Sequence, residues 1–344
     1  MQGYEPMPPG AEAAGRGVTL RVDGASLSVT VPASRSLLQP GHGEAIDEGS
    51  GGARCCRAQR VERQLLHDVS VSFHPGEATA LMGPSTAGKT TLLNVLAGRA
   101  SALGCRLTSG TVSVVCTDVS ATATTDQRRV CCIVPQDDVL LPGLTVYQTL
   151  WYAAAMRLPL SGPEREAHVL ATLTSLGLFE CSNATVEGVG LSGGQRKLVS
   201  VALEVLTNPA VMLLDEPTSG LDSGNAEKIV GLLRSLARGS EGDHAPRTVV
   251  CALHQPSGFL LSHFDRLLLL APGGRVAYDG PADGIASFLS PIPGLPPIRS
   301  LETSTEHAMR IVSEPASADV VVSAAKLQAA TARPVELQPV EVRQ

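Results

Sequence analysis

The chain has 344 residues, 43% hydrophobic and 17% charged. That length corresponds to about two domains, with enough apolar surface to offset chain entropy, which excludes wholesale disorder. Its 27 Lys and Arg against 33 Asp and Glu give a net charge of −6, which argues against a broad basic footprint for nucleic acid or anionic lipid. The densest apolar run, Leu267 to Ala271, is far shorter than the roughly 18 residues a membrane helix requires. Residues 1–16 read as a flexible tail without the apolar stretch of a secretory signal. The eight cysteines include no CxxC, and Cys55-Cys56 and Cys131-Cys132 are adjacent pairs, poor geometry for a disulfide framework or a zinc site. They read as reduced thiols of a cytosolic protein, in which the Asn183-Ala184-Thr185 sequon carries little weight.

From Val18 to Val31 apolar and small polar residues alternate about Asp23-Gly24, the pattern of a hairpin. Residues 32–60, rich in Gly, Ser and charge, predict a surface loop. From Val61 to Leu289 apolar strands alternate with helical segments, an α/β pattern. Within it, Ala78–Met82 predicts a buried strand. Gly83-Pro84-Ser85-Thr86-Ala87-Gly88-Lys89-Thr90 follows and fits the phosphate-loop spacing GxxxxGK(S/T), with a helix from Thr91 to Ala97 closed by Gly98. Val130–Val134 predicts a strand leading to Pro135-Gln136. Thr145 and Gln148 form a T-x-x-Q capping box, so a helix is expected from about Val146 to about Met156. Tyr147, Trp151 and Ala155 share one of its faces, and Leu140, Leu141 and Leu144 lie in the loop before it. Ser192 is a good N-cap for an apolar-periodic segment reaching about Leu206. Val211–Leu214 predicts a fully buried strand ending in Asp215-Glu216, and Thr248–Leu253 one ending in His254-Gln255. After Pro291 a Pro-rich run and a polar tail predict a linker over residues 291–344, with room for a short helix.

Ligands of open parallel sheets sit beyond the carboxyl ends of the strands, so four of these strands deliver chemistry to one edge. The glycines let the backbone wrap a polyphosphate, exposed N–H groups donate to its oxygens, and Lys89 adds a point charge near the β and γ phosphates. Thr90 offers a hydroxyl to Mg²⁺, Asp215 holds the ion through water, and Gln136 coordinates it or orients water. Glu216 polarises the attacking water, and His254 hydrogen-bonds the γ-phosphate. Alone, His254 reads more often as a structural histidine and Asp215-Glu216 as solvated acids at a strand exit. Their convergence on a phosphate loop carries the functional reading. Ser192-Gly193-Gly194-Gln195 leaves backbone N–H groups open at a helix start, a second anion-receiving site on the same chain.

In this order, phosphate loop, Gln136, Leu191-Ser192-Gly193-Gly194-Gln195, Asp215-Glu216 and His254 resemble the nucleotide-binding domain of ATP-binding cassette (ABC) proteins. The wording LLHDVSVSFHPGEATALMGPSTAGKTTLLNVLAGR and VALEVLTNPAVMLLDEPTSGLDS is similar to the G subfamily, the White-type half-transporters. The resemblance covers residues 17–290 and implies an α/β fold: a P-loop NTPase (RecA-like) core with an antiparallel β subdomain and a helical signature subdomain inserted at about 141–198. It implies that two cassettes, identical or different, pair head to tail. ATP with Mg²⁺ is then clamped between Gly83 to Thr91 of one, Thr91 included, and Ser192, Gly193, Gly194 and Gln195 of the other, with Asp222 reaching across. It further implies work at the cytoplasmic face of a membrane, powering export of a lipid, sterol or other hydrophobic compound through a membrane-spanning domain or subunit. No nucleic-acid partner is expected.

The chain departs from the family at named positions. Thr86 stands where the family usually has Gly, Leu191 and Gln195 match the general ABC signature better than the G-type wording, and Leu198 replaces a basic residue. No aromatic residue lies between Cys55 and Asp68 to stack on adenine. Two other classes compete with the transport ATPase. A soluble ABC ATPase acting on RNA or ribosomes would show salt-sensitive RNA binding, and a nucleotide-dependent regulator would pair without a membrane partner.

Overall fold

The computed structural model describes residues 17–32, 60–116, 127–187, 190–239 and 245–331. Along the chain come β1 (Val18–Pro32), β2 (Arg60–Phe73), β3 (Ala78–Met82), α1 (Lys89–Leu96) and β4 (Cys105–Cys116). Then follow α2 (Gln127–Val130), β5 (Cys131–Val134), α3 (Val146–Arg157), α4 (Gly162–Ser175) and α5 (Gly193–Val205). β6 (Val211–Asp215), α6 (Ser223–Arg238), β7 (Thr248–Ala252), α7 (Gly258–Leu261), β8 (Arg266–Ala271) and β9 (Arg275–Pro281) complete the sheets. α8 (Ile285–Leu289), α9 (Ser304–Ser313) and α10 (Pro315–Thr331) end the described chain.

The central sheet has the order β5-β6-β7-β3-β8-β9, parallel up to β8 and closed by antiparallel β9. Every residue of β3, β6 and β7 is buried, because helices and a second sheet cover both faces, and a strand covered twice reads as a continuous apolar run. On one face Met82, Leu214 and Leu269 pack against Ile229 and Leu233 of α6. On the other, Leu81, Leu213 and Leu268 meet Leu92 and Leu96 of α1 and the three-stranded antiparallel sheet β2-β1-β4. Each such fully buried side chain contributes roughly 1.5–3 kcal/mol of transfer free energy. α3, α4 and α5 form a third cluster around Val146, Leu150, Leu173 and Val199.

Two expectations are corrected. No hairpin forms about Asp23-Gly24. β1 runs on as one strand, paired antiparallel with β2 on one side and β4 on the other, and Gly24 (φ +58°) sits at an irregularity between Val22 and Ala25. The dipeptide that signals a turn here accommodates a bulge. Nor is the segment after Pro291 a linker throughout. Thr303 and Glu306 form a capping box that starts α9, and Ala308, Ile311 and Val312, with Val321 of α10, are buried against the central sheet. An i, i+3, i+4 apolar stripe explains the docking.

The expected helix after Gly88 and its Gly98 stop (φ +68°) are present, as is the Thr145–Gln148 capping box of α3. The expected tail at residues 1–16 and most of the expected loop at 32–60, with Cys55 and Cys56, lie outside the described residues. Cys132 and Cys251 are buried thiols whose ionisation burial pushes well up. No described helix is long and apolar enough to cross a membrane.

Candidate functional site

The strand ends of β3, β5, β6 and β7 project their following residues to one edge of the parallel sheet, since these strands run side by side in one direction. Between β3 and α1 the phosphate loop turns at two glycines that admit no side chain. A Cβ on Gly83 would lie 2.5 Å from the Leu270 carbonyl oxygen, and Gly88 (φ +91°) has Leu66 Cδ2 3.0 Å from where its Cβ would stand. The loop is thus a backbone cradle at a helix start, the geometry that receives phosphate oxygens. Ala87 is buried and its N–H closes the loop onto the Pro84 carbonyl at 3.0 Å. Thr86 takes φ +76°, a left-handed conformation that a β-branched residue rarely adopts.

Lys89, buried at the first turn of α1, donates to the Gly83 carbonyl at 2.8 Å and to that of Pro84 at 3.4 Å. Burial pulls its ammonium below the usual lysine range, and the carboxylates of Glu216 and Asp215 oppose that shift. Asp215 is buried at the end of β6. Glu216 follows with φ +47°, its N–H donating to the Ala252 carbonyl of β7 at 3.0 Å, so a neighbouring strand fixes its backbone. The Gln136 amide Nε2 donates to Glu216 Oε2 at 2.9 Å. Ser85 Oγ and His254 Nε2 are hydrogen-bonded at 3.2 Å. Gly83 to Thr91, Gln136, Asp215, Glu216 and His254 therefore form one cluster, as their order along four strands predicts.

Ser192 to Gln195 stand apart from it. Ser192 caps α5, accepting from the Gln195 N–H at 3.2 Å while Gln195 Oε1 accepts from the Ser192 N–H at 2.9 Å. Gly193 is exposed. Gly194 is buried, with Asn225 3.0 Å from where a Cβ would stand. Asp222 caps α6 through the Asn225 N–H at 3.0 Å, and that bond, then the Asn225 side chain, holds its carboxyl below the usual range. Among the described residues no hydrogen bond joins Ser192–Gln195 or Asp222 to the phosphate loop.

A hard divalent cation prefers oxygen donors and retains waters. The Thr90 hydroxyl, the Asp215 carboxylate and the Gln136 amide oxygen are such donors, and no cluster of three or more His, Cys, Asp or Glu suited to a metal occurs among the described residues. That set fits Mg²⁺ carried on substrate phosphates and does not fit a protein-caged metal.

Among the contacts sequence reading misses is an ion pair on α5. Lys197, buried on α5, makes an ion pair with Asp138 at 2.7 Å. The signal is a charge falling on the stripe Gly194, Lys197, Val201, otherwise buried and uncharged.

Residues 66–219 match the ABC transporter family. ABC transporter G family member 21 of Arabidopsis thaliana is 44% identical over 238 residues, 68% of this chain and 33% of the relative. Member 13 of the same plant is 41% identical over 260 residues, 73% of this chain and 35% of the relative. The chain thus spans about a third of the length of the curated relatives it matches. Among solved structures, cbiO1 from Clostridium perfringens, part of the ABC transporter complex cbiONQ, superposes with a TM-score of 0.57 at 22% identity. The match covers 78% of this chain and 90% of that chain, and establishes a shared fold. The α/β core with its phosphate loop accordingly agrees with the P-loop NTPase expectation. Sequence identity to several G-family members and a fold held in common with an ABC transporter component lead to one assignment: this chain belongs to the ABC transporter family, as a nucleotide-binding domain similar to those of its G members.

Proposed function

We propose that the chain binds ATP with Mg²⁺ and hydrolyses it as one half of a head-to-tail pair of cassettes, at the cytoplasmic face of a membrane, to power export through a membrane-spanning partner. One observation carries the catalytic part: the Gln136–Glu216 hydrogen bond beside buried Asp215, at the mouth of the phosphate loop. A carboxylate held by a neighbouring amide is a general base already oriented.

The loop N–H groups from Gly83 to Thr91 bind the phosphates, and Lys89 exchanges the Gly83 carbonyl for a phosphate oxygen. Thr90, Asp215 and Gln136 would hold Mg²⁺, which supplies charge neutralisation on the phosphates. Glu216 accepts a proton as water forms a bond to the γ-phosphorus and the bond to the bridging oxygen breaks, giving ADP and phosphate. His254, released from Ser85, donates to a γ-phosphate oxygen. Pre-positioned donors of this kind contribute without reorganising during the reaction. The isolated anion-receiving end Ser192–Gln195, with Asp222, serves the nucleotide bound on the partner cassette. Leu141 (66% exposed) and Val139 (81% exposed), following Gln136, offer an apolar surface for a cytoplasmic element of the membrane partner.

Titration of the purified chain with a fluorescent ATP analogue, alongside phosphate release, tests this reading. Lys89→Ala is expected to weaken nucleotide binding at least about tenfold, a modest value for one lost charge-assisted hydrogen bond. Unchanged affinity in that variant would remove the phosphate loop from the mechanism.

A further inference from the structure

A chain of polar contacts leads from the helix that Ser192 caps to Glu216. Lys197 Nζ donates to the backbone carbonyl of Gln136 at 2.7 Å and pairs with Asp138 Oδ1 at 2.7 Å. Ser200 Oγ donates to the same Asp138 oxygen at 2.8 Å. The lysine side chain is 5% exposed and that of Asp138 16%. From Gln136 the link continues through its side chain to Glu216 at 2.9 Å. One buried ammonium therefore ties the helix that Ser192 caps to the main chain of the residue that touches the proposed base.

We propose that Lys197 is a positioning residue that makes the N-terminus of α5 and the Gln136 segment move as one body, so that occupancy of this chain's own phosphate loop is felt at Ser192–Gln195. The proposal rests on the nucleotide-binding reading above. Two features set it apart from an ordinary ion pair. Surface pairs are weak and exchange with water, whereas this one is enclosed, and a buried ammonium needs its partners held in place. A partner that is a main-chain carbonyl also constrains the backbone of Gln136, which a carboxylate alone would not do. Coupling of two sites requires such an element, biased by both.

The test uses Lys197→Met/Asp138→Leu, which removes both charges and leaves neither buried alone. Amide hydrogen exchange is followed with and without a non-hydrolysable ATP analogue, at a dilution where light scattering finds monomers, so that no second chain covers Ser192–Gln195. In the wild type the analogue is expected to slow exchange both at residues 83–91 and, by about tenfold, at residues 191–200. In the double variant protection at 83–91 stays and that at 191–200 is lost, while kcat falls at least about tenfold with KM within about threefold. A merely structural pair would lower the melting temperature and leave the exchange coupling intact. Lys197→Met alone serves where the double variant melts below the assay temperature, with the same expectation. Wild-type slowing at 191–200 in either variant, or no slowing there in the wild type, overturns the proposal. Absence of protection at 83–91 in the wild type overturns the nucleotide-binding reading itself.

Discussion

Replacing Glu216 by Gln separates base chemistry from architecture. The backbone of Glu216 is held at φ +47° by its N–H bond to the Ala252 carbonyl, and neither depends on the carboxylate. The bond from Gln136 Nε2 at 2.9 Å survives, because the amide oxygen introduced by the substitution accepts as the carboxylate did. What disappears is the proton acceptor. A positioned general base contributes about 10²–10⁴ in rate, which at about 1.36 kcal/mol per decade is roughly 2.7–5.4 kcal/mol of barrier. Glu216→Gln should therefore bind ATP within about threefold of wild type and release phosphate about 10²–10⁴-fold more slowly. With ATP present it should elute as a dimer. Single-turnover phosphate release, a fluorescent-analogue titration and light scattering make the measurement. Turnover at the wild-type rate would refute the base assignment. Loss of affinity would show instead that the carboxylate organises the loop.

Ile311→Ala, at a fully buried position of α9, should destabilise the fold by about 2–5 kcal/mol in a denaturant titration, and a change near zero would undo the docking of α9 on the sheet. Thr86→Gly should be neutral to stabilising: relief of the left-handed strain at φ +76°, about 1–2 kcal/mol, outweighs the added chain entropy of glycine, about 0.5–1 kcal/mol. A loss above about 1 kcal/mol would mean that the Thr86 side chain makes a contact of its own. Leu141→Asp should leave folding and basal phosphate release within a few-fold of wild type, because the side chain is 66% exposed, and should abolish stimulation by a membrane partner. Unfolding of the isolated domain would mark Leu141 as core.

Much of the site is local in sequence and therefore legible. A phosphate loop between a buried strand and a helix, an acid pair ending an apolar run, the Thr145 capping box and the Ser192 N-cap each lie within a few residues, and all form where expected. The failed hairpin depends on distant partners. Asp23-Gly24 reads as a turn until β2 and β4, from other parts of the chain, pair along both edges of β1 and leave room only for a bulge. The helices after Pro291 were hidden by the preceding Pro-rich run, although Thr303–Glu306 and the stripe Ala308, Ile311, Val312 carry the ordinary signals of a docked helix. The pairs Lys197–Asp138 and Ser85–His254 join residues 59 and 169 positions apart, and no local pattern specifies such a meeting.

The apolar cluster of α3, α4 and α5 shares no buried residue with the clusters that flank the central sheet, and a cluster separate in this way can open as a unit of its own. The sole tryptophan, Trp151, lies on α3, the helix that supplies Val146 and Leu150 to that cluster, edge-on to Tyr152 at 5.4 Å and under the Arg165 guanidinium at 5.1 Å. Tryptophan emission during heating consequently reads the melting of one helical unit, whereas circular dichroism averages that unit with both sheets. Where the two curves diverge, a single midpoint no longer describes the chain, and a ligand that raises only one of them reveals which unit it grips.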